Sequence, residues 1–162
     1  MKYLPFEHII YNTDLSEEEV ITRLSGFVEP EKFGSRKRSD KEYEGYLYEN
    51  GFEINRIIKN RNSFAPDISG LIQKNNNGAQ IEVKMRLKWY VFIFLIGWCS
   101  LAMLFLLVML VKERDIIDIL LPIFMLVFVY VLTMIGFKIE SNQSKDDLKK
   151  YFAAEIIRKN KE

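Results

Sequence analysis

The sequence predicts an α+β fold: a small antiparallel sheet domain with two amphipathic helices, interrupted by a two-helix transmembrane hairpin. Three observations predict it. The 162 residues carry 23 Lys or Arg and 22 Asp or Glu, yet none of these lies between Trp89 and Val111 or between Ile119 and Phe137. Period-two alternation fills most of 43–87 around two turn-forming sequences. Capped helical patterns flank the whole arrangement on both sides.

Phe6–Tyr11 is a short apolar, β-prone stretch. Ser16 with Glu19 then fits a capping box, and Leu15 with Val20 a hydrophobic staple. Val20, Ile21, Leu24, Phe27 and Val28 share one face of the helix that follows, and Pro30 ends it. Residues 31–41 show no periodicity and read as an exposed loop. Its basic triplet Arg36-Lys37-Arg38 is a candidate contact for anionic lipid head groups, each basic residue near such a surface contributing about 1 kcal/mol.

Tyr43–Glu49 faces Phe52–Ile58 across Asn50-Gly51, which supplies the positive φ angles of a type I′ turn. A second hairpin pairs Asp67–Lys74 with Gln80–Leu87 across Asn75–Gly78. In its last strand Ile81, Val83, Met85 and Leu87 face one way, and Glu82, Lys84, Arg86 and Lys88 the other.

That strand runs into the first apolar segment. As a helix, Trp89–Val111 would be about 34 Å long against about 30 Å of hydrocarbon. Fourteen of its residues are Leu, Ile, Val or Phe, which together favour insertion by several kcal/mol. Lys88 and Trp89 stand at its start as candidate lipid contacts, a cation and an amphipathic ring at the interface. The second segment, Ile119–Phe137, has Pro122 in its expected first turn, where a missing N–H costs little. The short connector between them makes the two helices antiparallel neighbours. Lys84, Arg86 and Lys88 precede the pair and Lys138, Lys145, Lys149 and Lys150 follow it, against Lys112 and Arg114 in the connector. The positive-inside rule then places both termini in the cytoplasm.

Phe137–Glu140 reads as another strand. Ser144 reads as the cap of a last helix with Leu148, Phe152 and Ile156 on one side. Shifted by 128 positions, Ser144, Asp147, Leu148, Phe152 and Ile156 match Ser16, Glu19, Val20, Leu24 and Val28, an echo that suggests a repeat. The expected organisation is a cytosolic domain in two pieces, 1–87 and 138–162, with the hairpin at 88–137 inserted between them.

Between the sheet hairpins lies Arg56–Gly70. Asn50, Phe52, Ile54, Arg56, Ile58, Arg61, Asn62, Ser63, Phe64, Pro66, Ile68 and Gly70 fit an NxFxIxRxIxxRNSFxPxIxG pattern. With the VKMRL strand and two apolar helices, the chain resembles a group of small uncharacterised bacterial membrane proteins, cyanobacterial and Bacteroidota-like. The resemblance spans most of the chain and implies a two-helix membrane protein, but no activity. The residues themselves allow two readings. Arg56, Arg61, Asn62 and Ser63 form a candidate anion or partner site, because an Arg pair beside Asn and Ser donors suits phosphate or carboxylate. Alternatively Asn62 and Ser63 satisfy turn backbone while the Arg stems cover apolar surface.

Enzyme signatures are lacking. His8 is the only histidine and fits a satisfied sheet residue; Cys99 is the only cysteine and sits in the first apolar run. Usual zinc ligand sets, phosphate loops and nucleophile elbows do not occur. No catalytic, cofactor or metal residues are expected. A net charge of +1 gives no basic field for nucleic acid. The sequence thus points to a non-enzymatic, membrane-anchored binding or scaffold protein. Its expected partners are membrane lipids and either a protein or further copies of the chain. The alternative is a small subunit of an oligomeric transporter or channel.

Overall fold

The computed structural model describes residues 4–30, 41–57, 62–76, 78–112 and 115–159. The fold is α+β, and its elements run β1 (Phe6–Thr13), α1 (Glu17–Phe27), β2 (Val28–Pro30), β3 (Tyr43–Tyr48), β4 (Gly51–Arg56), β5 (Pro66–Asn75), β6 (Gly78–Leu87), α2 (Trp89–Val111), α3 (Ile116–Tyr151) and β7 (Glu155–Lys159). The strands form one sheet in the order β2-β3-β4-β5-β6-β1-β7. All pairs are antiparallel except β2 with β3.

Both expected hairpins are present. The first, however, turns at Glu49-Asn50 rather than Asn50-Gly51: Tyr48 pairs with Gly51, and neither Asn50 nor Gly51 has a positive φ, so the expected type I′ turn does not form. Gly51 is taken into β4 instead, where a Cβ would meet the Gly70 carbonyl. In the second hairpin Lys74 pairs with Ala79. There Gly78 adopts φ 136°, and a Cβ at that position would collide with the Thr13 carbonyl. The capping box also forms: Ser16 accepts from the Glu19 amide, and Glu19 accepts from the Ser16 amide.

Strand parity sorts the sheet into two faces. One carries Ile9, Tyr11, Phe52, Ile54, Ile68, Ile72, Ile81, Val83 and Met85, all buried. Val20, Leu24 and Phe27 of α1 and Phe137, Leu148 and Phe152 from the end of α3 complete this core. Both helices therefore pack on the same face. No described element covers the other.

The C-terminal region departs from expectation. Phe137–Glu140 is not a strand and Ser144 does not cap a helix; α3 runs unbroken for 36 residues through both. Its inward face is helical in spacing: Phe137, Ser141, Ser144, Lys145 and Leu148 are all buried. Nothing between Phe137 and Ser144 is Gly or Pro, so helix propagation meets no obstacle. The strand comes after the helix instead. At the end of α3 the Ala154 amide donates to the Lys149 carbonyl and the Ala153 amide to Lys150, with Ala153 at φ 46°. This is a Schellman turn with alanine where glycine is usual, and it reverses the chain into β7. The suggested repeat fails with this: Ser16 caps α1 but Ser144 lies inside α3, and Ile156 lies on a strand. Pro122 likewise falls inside α3 rather than in its first turn, because the helix already begins at Ile116. Without an N–H it cannot donate to the Asp118 carbonyl.

α3 lies along β1. Lys138 meets Glu7, the Tyr11 hydroxyl donates to the Lys145 carbonyl, and the Thr13 hydroxyl donates to the Phe152 carbonyl. Glu7, Tyr11 and Thr13 of one strand thus meet α3 between Lys138 and Phe152, with Glu7 reaching two levels of the helix. From Lys138 to Phe152 the helix runs in the same sense as β1 from Glu7 to Thr13, stacked over the core face of the sheet.

α2 and α3 are each long and apolar enough to cross a membrane. They pack on each other through a narrow stripe that buries Val91, Ala102, Val129 and Thr133. Most of their large apolar side chains, Phe94, Leu104, Phe124 and Phe128 among them, stay exposed.

Candidate functional site: the junction of α3 with the sheet

The part of α3 that leaves the apolar run enters a cluster of charges. Glu7 projects from β1 on the core side because it shares parity with Ile9 and Tyr11. It is only 1% exposed, yet ionised partners reach both its oxygens: Lys138 Nζ at 2.7 Å and Lys145 Nζ at 2.8 Å. Burial alone would raise its pKa, but the two lysines outweigh that and hold the carboxyl below its usual range. The lysines lie seven residues apart on α3, two helical turns, so one carboxylate ties two levels of the helix to one strand.

The second half of the cluster comes from the other side of the sheet. Arg56, the last residue of β4, places Nη1 3.4 Å from Glu140 Oε2 and Nη2 3.7 Å from Asp147 Oδ2. Asp147 also accepts from the Tyr43 hydroxyl of β3 at 3.1 Å. Burial raises the pKa of both Tyr43 and Tyr11, so each stays a neutral hydrogen-bonding group. Lys138, Lys145 and Arg56 thus balance Glu7, Glu140 and Asp147. Contacts from β1 and from β3, four strand spacings or about 19 Å apart, reach the same helix. The sheet grips α3 from both sides.

The segment after Arg56 completes the grip. Asn62 donates to Glu140 Oε1 at 3.0 Å, and its own carbonyl oxygen accepts from the Phe64 amide at 3.0 Å. Phe64 lies against Gly136, where a Cβ would meet its ring at 2.9 Å. Glycine at this point lets the 62–65 segment touch the helix just where the apolar run ends.

Two of the four residues expected to form an anion site are therefore brought together, but on a carboxylate of the chain itself. Arg56 and Asn62 converge on Glu140, while Ser63 is exposed. Asn62 satisfies turn backbone at the Phe64 amide, while Arg56 directs its guanidinium to Glu140 and Asp147. Arg61 lies outside the described residues, as do Arg36, Lys37 and Arg38. Lys88 is half-buried and Trp89 is 72% exposed at the first turn of α2, where its ring meets Tyr90 edge-on. His8 is in the sheet, on the open face, with Nε2 2.9 Å from Glu82 Oε1.

Glu7, Lys138, Glu140, Lys145 and Asp147 were not singled out from sequence. Glu7 had a signal: an acid at an inward-parity position of an apolar strand. The others had one only if α3 was read as continuous, since Phe137, Ser141, Lys145, Leu148 and Phe152 then form one stripe.

Compared with protein-family models, curated proteins and solved structures, the chain matches none. Its chemistry must therefore be judged from the cluster itself. Each acid is paired with a cation, which suits mechanical linkage better than proton transfer or ligand capture.

Proposed function

We propose that the protein is a non-enzymatic binding or scaffold protein, anchored in a bacterial inner membrane by α2 and α3, that presents its sheet at the cytoplasmic leaflet. One observation carries the reading. α3 exposes large apolar side chains from Ile117 to Ile139 and, without a break, becomes the helix on which the sheet closes. A helix that offers apolar surface to lipid at one end and is gripped by six charges at the other is an anchor built into the domain.

Lys88 and Trp89 then sit at head-group depth, and Lys138 leaves the bilayer on the same side. Both termini are cytoplasmic. The internal pairing of the acids supports a binding role over catalysis.

Membrane fractionation tests the anchor, with expected retention in the pellet after an alkaline carbonate wash; release into the supernatant would end the proposal. Topology is read in a Cys99→Ser background. Asp115→Cys is expected to react with an impermeant maleimide in intact cells, and Ser16→Cys only after lysis. Size in mild detergent separates a scaffold, expected as a monomer or dimer, from a pore subunit, which would run as a larger ring.

A further inference from the structure

The sheet face that no described element covers is sorted by charge from side to side. Its β3–β5 half displays Glu44, Glu53 and Asp67 with no lysine or arginine. Its β6–β1 half displays Lys84, Arg86 and His8, with Glu82 as the one acid, 2.8 Å from Lys84 Nζ. Tyr48, Leu71 and Ile10 add apolar surface in one row across the sheet.

The orientation of this face follows from α3. The strands run with the helix axis, so if α3 crosses a bilayer the sheet stands upright on it. The open face then looks sideways, along the membrane surface. This step rests on the membrane reading above. What such a face meets at its own height and in its own orientation is another copy of the chain.

We propose that the open sheet face is a homodimer interface, formed about a twofold axis that runs parallel to the strands through β5. Two sheets facing each other about such an axis, about 10 Å apart, set the left half of one against the right half of the other. Glu53 on β4 meets Lys84 of the second copy, because the two residues flank Ser69 in one cross-strand row. In the next row Tyr48 meets Ile10 of the second copy and Leu71 meets its own counterpart. Asp67 also meets its counterpart, the one like-charge encounter in the arrangement. A twofold across the sheet instead, pairing β7 with β7, would place the two membrane anchors on opposite sides and is excluded within one bilayer.

Cysteine cross-linking in native membranes tests this. In a Cys99→Ser background, Glu53→Cys and Lys84→Cys chains carrying different tags are co-expressed and treated with a short bis-maleimide. Mixed Glu53→Cys/Lys84→Cys dimers are expected, with at least a tenfold lower yield when either variant is expressed alone. No mixed product, or self-linked Glu53→Cys in excess of mixed product, overturns the proposal. Charge exchange provides an independent arm: Glu53→Lys and Lys84→Glu should each shift the protein from dimer to monomer in mild detergent, and the double exchange should restore the dimer. Monomer throughout, wild type included, overturns it. Carbonate extraction of the same samples tells failure of the anchor from failure of the interface.

Discussion

The sheet meets the two apolar helices in two different ways. β6 passes into α2 through Lys88, which offers no side-chain cap, and Trp89 beyond it is left exposed. α3 has no such joint. It continues from the apolar run into the core, held by Glu7 and by the Arg56–Asn62–Glu140 contacts. One connection is a backbone tether; the other is a shared helix. The difference teaches that displacement of the apolar pair reaches the sheet mainly through α3.

Inserting residues is the sharpest way to break this comparison. One alanine after Ile139 turns the remainder of α3 by about 100° and advances it about 1.5 Å. Lys145, Leu148 and Phe152 then leave the core together, and loss of cooperative unfolding is expected by circular dichroism in detergent. One alanine after Lys88 should leave a cooperative transition, lowered by less than about 1 kcal/mol.

Glu7→Ala comes next. It leaves Lys145 buried without its carboxylate, and such an unpaired charge costs about 3–5 kcal/mol. Chemical denaturation should show that loss. If the cost were under 1 kcal/mol, the cluster would not be what grips α3.

The pH dependence sharpens the same point. The folded pKa of Glu7 lies below its usual 4.5. Its stabilisation is therefore complete above that value and is lost as pH falls through the lower folded one. Melting temperature should drop on acidification below about pH 4.5, and Glu7→Gln should flatten that slope.

Much of the sheet domain was legible in the sequence. The pairing of Tyr43–Glu49 with the stretch after Asn50 was legible although its turn falls one residue early, the alternation of Ile81, Val83 and Met85 marked an inward face, and Ser16 with Glu19 marked a helix start, because each is a local signal. The C-terminal third was not. Lys138, Glu140 and Ser144 look like the polar punctuation between a strand and a capped helix. Lys138 and Glu140 are instead satisfied by Glu7, Arg56 and Asn62, more than seventy positions away. Charge inside a helix stripe reads as exposure until its partners are known. The same distance hid the fate of Arg56 and Asn62, whose carboxylate partner Glu140 comes from the far side of the apolar pair.

The smallest expected effect lies at the end of α3. Ala153 occupies the left-handed position of the Schellman turn, where glycine avoids a Cβ penalty. Ala153→Gly should stabilise by about 1 kcal/mol, read as a rise in denaturation midpoint at unchanged slope. It tests the turn that sends the chain into β7 and leaves both connections to the apolar helices untouched.

The continuity of α3 is what the account most depends on, and a distance measures it. Spin labels at Phe124→Cys and Lys149→Cys, both at exposed positions, are placed in a Cys99→Ser background. Twenty-five residues of unbroken helix separate their Cα atoms by about 38 Å. Double electron–electron resonance on the membrane-reconstituted protein should give one narrow distribution near that distance. A broad distribution, or a peak shorter by about 10 Å or more, would mean that the helix breaks between the apolar run and the sheet, and would contradict the account.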